Sequence, residues 1–445
     1  MVEDAKKESE APEPQKQKAE DNRWYLLATL YGVPEFDDEE LKKRNRIAWN
    51  RYYAGRLEET RKQLIAEKHH TEEELTPFSD EELEQIRKDF EARCGVIGKK
   101  PPQAIERIDF SNVKFEERWL NFEGFFFGAH VTFENCEFVG FACFRCATFW
   151  MAQFKDATFL DSAAFVGAAF WQADFEGVTF SGGAHFLDAV FTSGADFANA
   201  KFSFAAFAEA KFQSANFSGA LVSGRASFDS VIIEQADFKA TFEGQVSFVN
   251  AEMKGTTSFE HAQFRRSPPQ FFGAKLHEGT VWPGRDAWPL PKTKDEAGDF
   301  IHAYERLKLE MDRLKKHEDE LNFFALELQS RRVWLGPWAG LPIALYGKLS
   351  DYGRDYWRPL IWLFFLGLVP TFGFLTSDAI EPLHTLGFSF ASTLNVFGFR
   401  KDFFDPQVIA KLPAWLDTLA AAQTILGAIL LFLVGLGIRN KFRMK

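Results

Sequence analysis

A phenylalanine recurs every five or six residues through the middle of this 445-residue chain, and neither an ordinary helix nor a flat strand has that period. The run is Phe133, Phe138, Phe144, Phe149, Phe154, Phe159, Phe165, Phe170, Phe175, Phe180, Phe186, Phe191, Phe197, Phe202, Phe207, Phe212 and Phe217. The register continues through Val222, Phe228, Ile233, Phe238, Phe242, Phe248, Met253, Phe259 and Phe264, with a single step of four. Two residues before most of the large side chains stands a small one, as at Ala142, Ala147, Ala163, Ala184 and Ala205. Weaker copies at Phe110 and Phe115 open the series earlier. Such spacing fits a coil in which each side uses one pentapeptide. The large residue and the small one before it point inward, and the other three turn the corner or face solvent. Each repeat then buries its apolar face only against its neighbours, which makes the segment a solenoid.

The successive units Ala-Asp-Phe-Glu-Gly, Ala-Asp-Phe-Ala-Asn, Ala-Lys-Phe-Ser and Ala-Asn-Phe-Ser-Gly resemble the pentapeptide-repeat family. That resemblance implies a right-handed quadrilateral parallel β-helix over residues 105–276, with the phenylalanines from Phe149 to Phe217 as its structural core ladder. At ~20 residues per coil and about 4.8 Å per stacked strand, the tube would be on the order of 30–40 Å long. Steps of six depart from the strict pattern and predict bulged corners.

The flanks read differently. Residues 1–22 are rich in Glu, Lys, Gln, Ala and Pro, too polar to bury a core, and are expected to be a disordered tail. Residues 23–100 carry helical periodicity, and Ser79 with Glu82 reads as a capping box opening a helix toward Phe90. Residues 277–293, with Trp282, Pro283, Trp288, Pro289 and Pro291, read as a linker. Residues 294–333 read as one long charged cytoplasmic helix. Its seam of Leu307, Met311, Leu314, Leu321, Ala325 and Leu328 is suited to packing on the end of the tube or to self-association as a homo-oligomer. Residues 334–358 are apolar and aromatic, broken by Gly336, Pro337 and Pro342, and read as an interfacial segment.

Phenylalanine is also drawn by membranes, and the chain holds 51 of them. Residues 359–377 and 418–438 are free of charge, and a spanning helix needs about 20 residues. Trp357, Trp362 and Trp415 stand where aromatic belts stand. Basic residues gather before the first run (Arg331, Arg332, Lys348, Arg354, Arg358) and after the second, in the tail 439–445. The loop 378–417 between them has only Arg400, Lys401 and Lys411. By the positive-inside rule both termini are expected in the cytoplasm, with two spans in the cell (inner) membrane. The first 22 residues have no apolar run and so no cleaved secretory signal, which agrees with cysteines that show no disulfide spacing.

No catalytic constellation stands out: there is no phosphate loop, nucleophile elbow or dinucleotide fingerprint, and no cofactor is expected. Cys143 and Cys146 form a lone CxxC near Cys136, which reads as core packing rather than zinc. Within loop 378–417, an apolar stretch from Leu386 to Leu394 precedes Asn395, Val396, Phe397, Gly398 and Phe399. Span, short helix, glycine turn and span are similar to the pore module of two-helix potassium channels. The second filter glycine and the preceding threonine are absent, so the resemblance is to a degenerate module. There are 63 acidic and 52 basic residues, a net charge of −11, which disfavours nucleic acid as a partner. Some pentapeptide-repeat proteins mimic DNA and bind gyrase. Here Lys155, Lys201, Lys211, Arg225 and Lys239 interrupt the acid. The expected function is a non-catalytic scaffold, anchored in a lipid bilayer, that offers its β-helix to a cytoplasmic protein partner. A channel-like oligomer is the alternative.

Overall fold

The computed structural model describes residues 16–55, 70–377, 380–405 and 410–443. The chain forms two compact units, Met1–Pro289 and Leu290–Lys445.

The first unit is a parallel β-solenoid of about seven turns with helices before it. Its strands stack in register, phenylalanine on phenylalanine and alanine on alanine. Phe180 lies on Phe202 and Ala184 on Ala205, while on the other sheet Phe191 lies on Phe212 and Ala195 on Ala215. The rings form four inward columns. One runs Phe110, Phe133, Phe154, Phe175, Phe197, Phe217, Phe238 and Phe259, with successive centroids 4.8–5.1 Å apart. The spacing is that of stacked strands, so ring packing and backbone pairing share one repeat length. All fourteen inward rings of the expected ladder, Phe149 to Phe217, are buried.

The corners are of two kinds. After alternate phenylalanines the chain makes a tight turn closed by an i→i+3 hydrogen bond, as from Ala157 N to Phe154 O (2.9 Å) and from Ala200 N to Phe197 O (3.1 Å). The residue two after such a phenylalanine takes a positive φ: mostly Asn112, Asn135, Asp156, Asp188, Asn199 and Asn250, with Gly167, Gly177, Gly219 and Gly273 at the same place, and Cys146, Glu209, Ser230 and His261 at other coils. Asn, Asp and Gly tolerate this region best. The corners after the other phenylalanines lack this turn and absorb the extra residues. Phe180 to Gly183 bulges against Phe202 to Phe204, and Phe191 to Gly194 against Phe212 to Ser214. The six-residue steps therefore bulge, as the spacing predicts, but only at this second corner type.

A solenoid end exposes unpaired strand groups and needs a cap. Helices α1 (Arg23–Ala28), α2 (Glu39–Ala54), α3 (Glu72–Leu75) and α4 (Asp80–Cys94) supply it. Asn50 of α2 acts as a surrogate strand residue: its Nδ2 donates to Gly124 O (2.9 Å) and its Oδ1 accepts from Phe126 N (2.8 Å). Trp49 Nε1 donates to Phe126 O (2.8 Å). Ser79 and Glu82 do form the capping box of α4.

Two expectations for this unit change. Residues 1–15 lie outside the described residues, but the end of the expected disordered tail is ordered: Gln17–Lys18 pairs in parallel with Val113–Lys114, and Asn22 caps α1. Nor is 277–293 simply a linker. Trp282 stacks on Phe259 (5.1 Å, 6°) and Trp288 lies against Phe264 (5.3 Å), so two tryptophans continue the columns and close the far end. They escape the five-residue register because a tryptophan replaces the phenylalanine and the prolines disguise the spacing.

In the second unit, the single helix expected over 294–333 is two. Helix α5 (Lys294–Arg313) and α6 (His317–Ala339) fold back on each other as a hairpin. Lys315 takes a positive φ and Lys316 N donates to Met311 O (2.9 Å), ending α5. Acidic Glu318, Asp319 and Glu320 then start α6, where negative charge suits a helix N-terminus. Leu307, Met311 and Ala325 of the seam are buried within this unit. Lys308 bonds Glu327 (2.6 Å) across the hairpin.

Helix α7 (Leu341–Ser350) leads to the two charge-free runs. Among the described residues, two helices are long and apolar enough to cross a membrane, Trp357–Phe374 and Ala414–Arg443. The first is interrupted: α8 (Trp357–Leu368) and α9 (Thr371–Phe374) are separated at Val369-Pro370. The second is continuous α12 (Ala414–Arg443). Between them lie α10 (Thr385–Thr393) and the short α11 (Phe399–Phe403).

Candidate functional site

The solenoid has no central cleft, because its interior is filled with rings; what it can offer is its outward rows. One row is Asp109, Thr132, Gln153, Asp174, Asp196, Asn216, Asp237 and Ser258, stacked coil upon coil. Its oxygens turn back to the chain two residues on: Asp174 Oδ1 accepts from Glu176 N (2.9 Å), Asp196 Oδ1 from Ala198 N (3.0 Å) and Asn216 Oδ1 from Ser218 N (3.0 Å). The Asp before the phenylalanine is thus a turn former. Burial, with the charges of Asp196 and Glu176 alongside, raises the Asp174 carboxyl. Neighbouring acids are paired across coils, Glu176 with Lys155 (2.6 Å) and Glu234 with Lys254 (3.4 Å). This acid is occupied with the fold rather than arrayed as a double row of phosphate-like charges. A second outward feature is apolar. Trp150 and Trp171 stack at 4.9 Å on one face, and Val139 and Leu160 stand exposed in successive coils of another.

Residues 193–224 match the family model described as pentapeptide repeats (8 copies). The matched stretch holds the positive-φ corners Asn199, Glu209 and Gly219 and the most regular five-residue steps. No curated protein matches the chain. The pentapeptide-repeat register extends structurally on both sides of that stretch, from the Phe110 column to Trp282.

Cys136 and Cys143 are packed as small apolar residues. Cys136 Sγ donates to Phe110 O (2.8 Å), and burial pushes its thiol up to about 12 and that of Cys143 to about 11. Such thiols are inert.

The second unit contains a buried polar cluster that the sequence reading missed. Gln423 of α12 is 1% exposed. Its Nε2 lies 2.9 Å from Leu366 O, 2.9 Å from Ser389 Oγ and 3.2 Å from Thr393 Oγ1. The cause is Pro370. In a continuous helix the N–H at 370 would bond the carbonyl four residues earlier, that of Leu366; proline has none. Gln423, with Thr393 Oγ1 (3.4 Å), satisfies the orphaned oxygen. Thr371 Oγ1 likewise donates to Gly367 O (3.0 Å). A proline inside a charge-free run, with a glutamine in the next, was the available signal. Two glycines let α10 approach: a Cβ at Gly427 would stand 1.9 Å from Thr393 O, and one at Gly367 would meet the Phe390 ring at 2.6 Å. Helix α10 is thereby fixed to both long apolar helices.

The residues singled out as a pore loop follow α10. Asn395–Phe397 is a 3-10 turn, Gly398 takes φ 85° and Phe399 starts α11. The carbonyls of Leu394, Asn395 and Gly398 accept from Phe397 N, Gly398 N and Lys401 N. The segment is a closed turn, whereas an ion filter lines its axis with carbonyls turned away from such bonds.

Proposed function

We propose that this protein is a non-catalytic, membrane-anchored scaffold: α8–α9 and α12 cross a bilayer as a hairpin, and the β-solenoid, four-sided and right-handed as in its family, offers outward rows to a protein partner. The observation that carries the anchoring is the outer face of α12. Its buried stripe is Leu416, Ala420, Gln423, Gly427, Leu430, Leu433, Gly437 and Asn440, a single helical face. The opposite face, which in a water-soluble helix is polar, carries Ile425, Leu426, Ile429 and Phe432, the last 69% exposed. Phe364, Phe365, Val369 and Phe372 do the same beside it. A contiguous apolar surface on this scale needs a covering, and lipid suits a helix that is apolar all round.

An ion pair supports the topology. Arg443, beyond the second span, reaches Asp312 (3.4 Å) and Glu320 (3.5 Å) of the α5–α6 hairpin, which precedes the first. That contact supports a topology in which both flanks of the hairpin share one side, and the basic residues there favour the cytoplasmic side. The scaffold role rests on the solenoid's interior being filled and on the exposed Trp171, Leu160 and Val139 outside it.

Membrane fractions washed with alkaline carbonate test the anchor: the full chain stays in the pellet, and release into the wash refutes it. The scaffold role is tested by cross-linking the full chain in intact membranes against a variant with Trp171→Ser and Leu160→Ser. A specific adduct lost in the variant is the expected result. The same adducts from both chains, or none from either, would reject the outward rows as the contact surface.

A further inference from the structure

Resting on the membrane reading of the hairpin, we propose that residues 337–350 form a belt lying in the headgroup layer of the bilayer, its outer stripe at the acyl boundary and Lys348 among anionic lipid headgroups. The helical run after the kink at Gly336 (φ 79°) presents two unlike faces. The inner one is held: Tyr346 and Leu349 pack against the cluster of Leu363, Leu430 and Leu433, contributed by α8 and α12. The outer one is Trp338, Leu341, Leu345 and Lys348, at steps of three, four and three, a single helical stripe. Trp338 is 87% exposed, and Leu341 and Leu345 about half.

Three observations say that lipid covers this stripe. It is continuous with the apolar outside of the spans, since Lys348 Nζ sits over the Trp362 ring (6.0 Å), and Trp357, Ile361 and Trp362 are exposed. Its depth is set by a built corner. Asp351, Tyr352 and Gly353 take three consecutive positive φ values, 46°, 59° and 80°. Asn440, at the end of α12, fastens that corner by donating from Nδ2 to Gly353 O (2.9 Å). A left-handed run at non-glycine residues is unfavourable and persists only where the surroundings impose it. Here it turns the chain from α7 into the first span. The charge pattern also fits: Asp351 and Asp355 lie by Arg354 (4.0 Å) and Arg358 (3.2 Å), while Arg332, Lys348 and Lys441 face outward. Amphipathic helices of this kind, with Trp and Leu on one side and cations beside them, bind at the headgroup boundary and favour anionic lipid.

The test uses the full chain in vesicles of phosphatidylcholine with phosphatidylglycerol, with the half-exposed thiols removed by Cys94→Ser and Cys146→Ser. Nitroxide labels are placed singly at Trp338→Cys, Ile425→Cys and, on the solenoid, Leu187→Cys. Accessibility to oxygen relative to a water-soluble nickel chelate should rise several-fold from 187 to 338 and again from 338 to 425. Lys348→Glu should move the label at 338 toward water when phosphatidylglycerol is present, and much less in phosphatidylcholine alone. If 425 reads as deep while 338 reads as aqueous, or as shielded from both reagents by protein, the belt is refuted and the spans stand. If 425 itself reads as aqueous, the membrane reading fails and the belt with it. An unchanged depth in Lys348→Glu removes the role of anionic headgroups.

Discussion

Phe186 sits 4.7 Å above Phe165 and 4.9 Å below Phe207, with both partners nearly parallel to it. Truncating it removes buried area and leaves a cavity that a closed coil cannot collapse into. Phe186→Ala should cost about 3–5 kcal/mol, read as a shift in the denaturant midpoint of the solenoid transition. A change below about 1 kcal/mol, the size of a surface substitution, would mean that the columns are not the core. The corner residues carry a smaller, opposite prediction. Glu209 occupies a positive-φ corner (φ 62°) where most other coils use Asn, Asp or Gly. Glu209→Asn should stabilise by about 0.5 kcal/mol, because asparagine tolerates that region; a lowered midpoint would contradict the strain argument. At this scale the sequence was highly legible, since large and small inward residues repeat with their own period. The turn formers two places after alternate phenylalanines were equally present, and what hid them was reading all pentapeptides as equivalent.

Elements were less legible, for reasons that differ from case to case. The α5–α6 turn has no glycine or proline; a lysine in the left-handed region makes it, so only the change from basic to acidic residues around His317 marked it. The break between α8 and α9 was signalled by Pro370, but its repair by Gln423 joins residues 57 apart in sequence and needs the fold to be seen. That repair predicts non-additivity. Gln423→Leu leaves Leu366 O unsatisfied in an apolar setting, at about 1–3 kcal/mol. Pro370→Ala restores an N–H, so Gln423→Leu made on top of Pro370→Ala should cost distinctly less. Steric-trapping or denaturant titration in detergent would measure the cycle, and equal costs in both backgrounds would refute the repair. In the solenoid cap, Glu74 lies 2.9 Å from Arg46 and 3.4 Å from His70. Burial raises its carboxyl, but the His70 hydrogen bond and the Arg46 charge outweigh that and hold it below the usual range. A carboxylate lowered by folding stabilises above its unfolded value and loses that contribution as pH falls through the folded one. Glu74→Gln should therefore flatten the acid side of the stability profile, and an unchanged acid limb would exclude this site as its source.

For the whole molecule, composition and period were enough to separate a repeat from a pair of apolar helices, and the two compact units divide at Pro289 and Leu290. The exact boundary was lost because the last coil is written in tryptophan and proline. The Arg443 contacts give a prediction at this scale: reporters fused after the C-terminus and inserted in the α5–α6 turn should be accessible from the same side of the membrane, and opposite accessibility would refute the hairpin topology.

The two kinds of corner have a consequence for how such a tube can change. A single inserted residue is absorbed as a bulge at one corner, whereas at the other it would open the i→i+3 turn. A duplication of a whole coil alters neither cap, since Asn50 and Trp49 meet only the first coils and Trp282 and Trp288 only the last. Length is thus free to vary in units of one coil while both ends stay the same. Each unit added would lengthen the displayed surface by one strand spacing, about 4.8 Å, so reach is a property this architecture can alter without redesigning its core.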